Sequence, residues 1–368
     1  MEPLHRSKKS IELIFLGTGT SSSVPNVDCL TAPSDREPCL TCLSTLQPEG
    51  KKNIRRNTSA VLRIGEKDGK KSTIVIDAGK NFYAAALEWF PKYGLRHIDA
   101  VLITHAHADA MNGLDDLRGW TLQGAIQSQI DIYASQATFD EVKRSFPYLV
   151  SSEYASGGGD VPSFEWHIVK EEKESFVIKG TEISVTPFSG SPALAVFCPP
   201  KEIHPYICWG FKIEESVVYL SDVSFIPDDS VLKSVSGTLP VFILDCLALD
   251  GHTSHFGLVD ALDTALKVAA QRTYLTGFSH KVSHDEYVTL GEVIQRGSET
   301  IMVPPQSTDR VQKGLALIKK YFTGLSSPHQ QALIDTGTKG IWLRPAHDGL
   351  RVSISAEGAV SDGTYDQI

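Results

Sequence analysis

The sequence contains no long apolar run. Nowhere in its 368 residues does a stretch approach the ~20 apolar residues of a membrane span. The first ten residues, MEPLHRSKKS, are polar and basic, and the run behind them, IELIFLG, is too short and strand-like for a secretory signal. An excess of positive charge is also missing. Lys and Arg number 35 against 44 Asp and Glu, a formal charge of -9. A protein that grips phosphate backbones needs a basic face, so this balance argues against nucleic acid as a partner. It leaves room for a small anionic substrate drawn into a locally positive, metal-bearing pocket. Cysteine is sparse, six in all: Cys29, Cys39 and Cys42 cluster, while Cys198, Cys208 and Cys246 are scattered. Such usage fits a cytoplasmic protein whose clustered thiols bind metal rather than pair as disulfides. No internal repeat is visible.

What is present is a core-sized apolar fraction, 41%, arranged as short strands alternating with helices. IELIFLG (11–17) runs into the Gly-rich turn GTGTSSSVP. SAVLRIG (59–65) and STIVIDAG (72–79) pair across a charged hairpin. Residues 81–94 and 257–271 have helical spacing, and 99–105 reads as a buried strand. Asn112 is placed to cap a helix over 112–127. Further strands fall in QIDIYAS, FVIKGTEISVTPF, YICWGFKIEE, VVYLSD, LPVFILDCL and RTYLTGF. The pattern is that of one layered α/β domain, expected over 11–325. Residues 326–368 read as a C-terminal extension with a strand pair and a frayed tail.

Two constellations carry chemistry. In VLITHAHADAMNGLD (101–115) a buried strand ends in His105, His107 and Asp109. Imidazoles and a carboxylate at such a point suit Zn²⁺, or Mn²⁺ or Fe where more oxygen ligands join. A polar loop that merely holds histidines is the bland alternative. The second constellation is Cys29, then nine residues, Cys39, then two, Cys42. Its last two thiols have zinc-ribbon spacing, and a structural zinc wants a fourth soft ligand. The alternative is three unligated thiols in a loop. The basic stretch KKNIRRNTS (51–59) reads either as a solvated charge run or as a phosphate contact through Arg56 or Asn57.

The order of GTGTSS, IDAG (76–79), THAHAD (104–109), YLSD (219–222) and LTGFSH (275–280) resembles the metallo-β-lactamase-fold hydrolases over residues 11–290. Within them it is most similar to the branch of the phosphodiesterase of bacterial phosphonate breakdown, which carries cysteines after the opening turn. The resemblance implies an αββα sandwich of two mixed sheets flanked by helices. It implies His105 and His107 as ligands of a first metal, Asp109 of a second, Asp222 as a bridge, and Asp77 behind the ligand loop. Cys29, Cys39, Cys42 and His280 would hold structural zinc and pin the 29–42 loop.

The family pattern breaks where it expects two more ligand histidines, at Ala110 and Gly277. Both would serve the second metal, which would keep only Asp109 and Asp222 and could hold Mg²⁺ or Mn²⁺ weakly. His204 is the only nearby candidate for the family's middle ligand, and His284 could partly replace what Gly277 lost. His255, in DGHTSHFGL, is either a catalytic acid or phosphate binder at the mouth, or a cap of the 257–271 helix. The expected activity is metal-dependent hydrolysis of a small or cyclic nucleotide-like phosphodiester, with Asp109 or Asp222 accepting a proton. The alternatives are a zinc-stabilised binding protein that has lost turnover, or a thioester hydrolase on the same fold. A homodimer is the expected assembly.

Overall fold

The structure, a computed structural model, describes residues 9–155, 160–169, 174–193, 206–226, 239–296, 307–324 and 341–366. Strict alternation in the opening strands decides the layering. In β1 (Ile11–Gly17) Ile11, Leu13 and Phe15 join one apolar cluster, while Ile14 and Leu16 join another on the opposite face. β2 (Ser59–Gly65) and β3 (Lys71–Ile76) repeat the division, with Leu62 and Ile74 on one face and Val61 and Val75 on the other. A strand apolar on both faces must be covered on both. One face meets a second sheet, and the other meets the helix Phe82–Tyr93.

The first sheet has eight strands in the order β15-β14-β1-β2-β3-β4-β5-β6. Here β4 is Ala100–Leu102, β5 Ile130–Ser135, β6 Phe164–Val169, β14 Arg351–Ile354 and β15 Val360–Asp362. The second has seven, β13-β12-β11-β10-β9-β8-β7. They are β7 Phe176–Val177, β8 Ser184–Ala193, β9 Tyr206–Ile213, β10 Val217–Leu220, β11 Val241–Asp245, β12 Arg272–Thr276 and β13 Leu343–Pro345. Its outer face packs on helices Leu258–Val268, His284–Arg296 and Asp309–Gly324. The result is the expected αββα sandwich of two mixed sheets.

Two local expectations need correction. Residues 112–127 do not form one helix. Asn112 ends the short helix Ala108–Met111, and the chain continues as the turns Leu114–Leu117 and Arg118–Thr121 before Gln123 adopts a φ of 52°. The polar, Gly-punctuated sequence lacks the continuous apolar stripe that holds a long helix on a sheet. The segment read as an extension from 326 supplies strands to both sheets: β13 pairs with β12, and β14 pairs with β1. Its described part therefore completes the sandwich.

Candidate metal centres and active site

The parallel strands β3 and β4 end together, and the chain leaves the sheet at Asp77 with a φ of 59°. A non-glycine residue held there is strained, which is common where backbone aims a functional side chain. Asp77 accepts from the Thr104 amide and from the Thr104 hydroxyl, both at 2.8 Å. That hydroxyl in turn lies 2.8 Å from His105 Nδ1. With its one proton given to Asp77, the hydroxyl accepts from Nδ1–H, which leaves Nε2 with the lone pair a metal needs. The Ala78 amide donates to the Ala110 carbonyl at 2.7 Å and ties the following ligand turn to the end of β3.

His105, His107 and Asp109 converge, with one ligand atom of each within 4.8 Å of the others. The two rings stand 4.8 Å apart and nearly perpendicular. Partial desolvation, and then the field of His105, hold His107 below the usual histidine range, so it stays neutral. Asp109 has two different oxygens. Oδ2 accepts from the Ser21 hydroxyl at 2.6 Å, a bond supplied by the Gly-rich turn. Oδ1 is buried, has no hydrogen-bond partner, and lies 3.9 Å from His105 Nε2. A buried carboxylate oxygen left so is costly unless a cation meets it. This group therefore fits a divalent metal.

Asp222 stands outside that tight trio. It leaves β10 in a left-handed turn, φ 48°, and its Oδ1 lies 3.5 Å from His255 Nδ1. Burial raises its pKa, and the nearby His105 and His255 oppose that. His255 does not cap the helix after it, because the cap position is Gly257. Its Nδ1 instead meets Asp245 Oδ2 at 3.0 Å. The same oxygen accepts from the Phe256 amide at 3.1 Å. Burial works against a charged His255, but Asp245 and then Asp222 outweigh it and push the imidazole up to about 9. We assign the proton of this pair to His255, since two carboxylates flank one ring.

Asp245 is the residue that sequence reasoning missed. Its only signal was a carboxylate at the end of a fully apolar strand, VFILD. It is fully buried, and its Oδ1 has no hydrogen-bond partner. Gly277 faces it: with a φ of 78°, a Cβ there would overlap Asp245 Oδ1. The space that a side chain at 277 would need is thus taken by a carboxylate. The expectation that His284 could compensate is also overturned. His284 is buried away from this mouth, packed edge-on to His347 at 5.4 Å and 3.4 Å from the Tyr365 hydroxyl. His204 lies outside the described residues.

The second constellation closes in space. Cys29, Cys39 and Cys42 place Sγ at 3.2, 3.5 and 3.6 Å from His280 Nδ1. Three thiols and one imidazole at these separations fit tetrahedral zinc. Burial, then the neighbouring thiols, push Cys29 up to about 12, so only a cation would hold the set as thiolates. His280 is delivered by Arg55, a fully buried guanidinium that donates to the carbonyls of Ser279 and Val282 and lies 5.0 Å from the Phe278 ring. A third group, Asp131, Glu165 and His167, has a cation of its own in Lys179, 2.5 Å from Glu165 and 3.8 Å from Asp131.

Residues 72–278, more than half of the chain, match the family described as the beta-lactamase superfamily domain. The chain belongs to this superfamily. A diphosphatase of the PhnP family has the same metallo-β-lactamase fold, with 23% identity, TM-score 0.62, and coverage of 94% of this chain and 97% of that one. Zinc-bound PqqB from Methylobacterium extorquens matches with 16% identity and TM-score 0.54, over 92% and 99% of the two chains. YhfI from Bacillus subtilis matches with 15% identity and TM-score 0.52, over 93% and 98%. At these identities the likeness establishes the fold. A curated protein named octanoyltransferase, from Porphyromonas gingivalis, is 27% identical over 281 residues, 75% of this chain and 48% of that one. The chain thus spans about half the length of the curated relative it matches. Members of this superfamily are largely metal-dependent hydrolases. Among the described residues no helix is long and apolar enough to cross a membrane.

Proposed function

We propose that this chain is a metal-dependent phosphodiesterase acting on a small or cyclic nucleotide-like substrate, with zinc as its active-site ion and a second zinc in the Cys29, Cys39, Cys42 and His280 set. The observation that carries the reading is the imidazole of His255, held between Asp245 and Asp222 beside the His105, His107 and Asp109 group. Those three residues, with Asp222, would hold the catalytic ion. When bound there, it would supply Lewis acidity toward a phosphoryl oxygen and lower the pKa of water.

The remaining work falls to side chains. His255 would serve as a proton donor, suited to the departing alkoxide of a diester. Asp245 orients its ring through Nδ1 and keeps it protonated, so the proton is delivered from Nε2. Asp222, coupled to the same histidine, can take the proton of the attacking water. Ser21 fixes which oxygen of Asp109 faces the site. The PhnP-family likeness supports phosphorus chemistry, and the thiol cluster supports the same branch. A thiol set that holds zinc and does not pair as disulfides suits a reducing, cytoplasmic setting.

The test is a leaving-group series. His255→Ala should lower kcat on alkyl phosphodiesters by about 100-fold or more, and on a p-nitrophenyl diester far less, because a good leaving group needs no proton. Equal losses across the series would remove His255 as the acid. No turnover of any diester by the metal-loaded parent would favour the reading of a zinc-stabilised binding protein.

A further inference from the structure

Part of the basic stretch after the cysteine loop is not used by the sites above. Arg55 faces the zinc loop, and Asn57 bonds the carbonyls of Thr20 and Ser21. Arg56 and the two lysines before it face elsewhere. They border a separate cavity of about 270 Å³, with Trp89, Lys92 and Asp348 among its other lining residues. At ~30 Å³ per water, it has room for roughly nine waters, the size of one or two phosphate groups.

The charge of this cavity runs against that of the chain. Its lining carries four cations, Lys51, Lys52, Arg56 and Lys92, and two carboxylates, Glu88 and Asp348. Both carboxylates are committed to Arg56. Glu88 pairs with its guanidinium at 2.6 Å, and Asp348 lies 3.6 Å from it. Asp348 is also turned inward, accepting from the Thr18 hydroxyl and the Arg56 amide, both at 2.9 Å. Among the described residues Lys51, Lys52 and Lys92 enter no ion pair. Three ammonium groups around one concavity repel one another in a protein of net charge -9.

The scaffold under these lysines is fixed. Lys51 and Lys52 lie in the tight turn Pro48–Asn53, anchored where Asn53 Oδ1 accepts from the His284 amide at 2.7 Å. Lys92 stands on the last turn of the Phe82–Tyr93 helix, its ammonium 4.7 Å from the Trp89 ring. Trp89 is itself held by the backbone of Gly349, where a Cβ would overlap the indole. Burial holds the adjacent His347 down to about 4, and Lys52 and Lys92 act in the same direction.

We infer that this cavity is a binding site for a small phosphate-bearing anion of about diphosphate size, distinct from the metal-centred active site. The lysines supply point charges that a phosphate oxygen can meet from several sides, and Arg56 adds a planar donor already oriented by Glu88. The diphosphate group could be free or part of a larger ester, so pyrophosphate and ADP are the two probes.

The experiment is calorimetric titration of each probe into the full, metal-loaded chain. Parent protein should show saturable binding that weakens with salt. Lys52→Ala with Lys92→Ala should weaken it by about tenfold or more. Both side chains are exposed, so the variant's melting temperature should be unchanged. Glu88→Gln should tighten binding by removing a carboxylate charge from the lining. His105→Ala with His107→Ala should retain it, which separates this site from the active centre and makes the inference independent of the proposed function. Tighter ADP than pyrophosphate would assign an ester, and the reverse a free diphosphate. The inference is overturned by absence of binding at millimolar probe, by unchanged affinity in the lysine variant, by loss in the histidine variant, or by a short oligonucleotide that competes at tighter affinity.

Discussion

The two metal-type clusters of this molecule are built on opposite principles. The Cys29, Cys39, Cys42 and His280 set is closed: four soft ligands and no carboxylate, joining one loop to a strand end 241 residues from Cys39. The His105, His107 and Asp109 group is open: it presents three ligands, one of them solvent-facing, beside the buried carboxylates Asp222 and Asp245. Beside the open set, Asp77 and Asp222 hold left-handed backbone. The closed set has the composition of a staple. The open set carries the cost of buried charge and left-handed backbone that a structural element would not require.

The sharpest way to break this comparison is to remove the staple. Cys39→Ser with Cys42→Ser should release one zinc per chain and lower the melting temperature by roughly 10 °C or more, since metal binding energy is folding energy. Metal analysis and calorimetry read both, and an unchanged zinc content would refute the closed set.

The next effect concerns Gly277. Restoring a histidine at this position looks, from sequence, like a way to rebuild a second metal site. The structure predicts instead that Gly277→His costs about 2–4 kcal/mol, through positive φ and overlap with Asp245. Adding Asp245→Ala should recover part of that loss. Chemical denaturation of the single and double variants would show it, and equal stabilities would mean the Asp245 carboxylate does not occupy the space.

A smaller effect is electrostatic. Burial depresses His347 to about 4 and His284 well below its usual value. A histidine whose folded pKa is depressed contributes stability that is fully present above about pH 6.5 and lost as pH falls toward the folded value. The melting temperature should therefore decline from pH 6.5 to about pH 4, and His347→Gln should flatten the decline. A curve that coincides with the parent's would remove His347 from the account.

The legible part of the fold was the part written in local periodicity. Strands apolar on both faces announced a covered sheet, and HAHAD announced its own cluster, because ligands two apart at a strand end need no distant partner to be recognised. The zinc staple was legible only through the family resemblance that proposed His280. Three features were not legible. Asp245 and His255 meet across a ten-residue excursion, a pairing fixed by β11 packing beside β12. The role of Gly277 depends on which side chain enters its vacancy, which no spacing encodes. The strands after 340 join both sheets through contacts with residues at the far end of the chain, where sequence distance is greatest.

The most direct measurement compares the two clusters in one assay of bound metal, melting temperature and hydrolysis of a generic phosphodiester. His105→Ala with His107→Ala should lose the active-site ion and the turnover while keeping the zinc of the thiol cluster and melting within a few degrees of the parent. Turnover that survives this variant, or a melting temperature that falls as far as in the cysteine variant, would contradict the division of labour between the two centres.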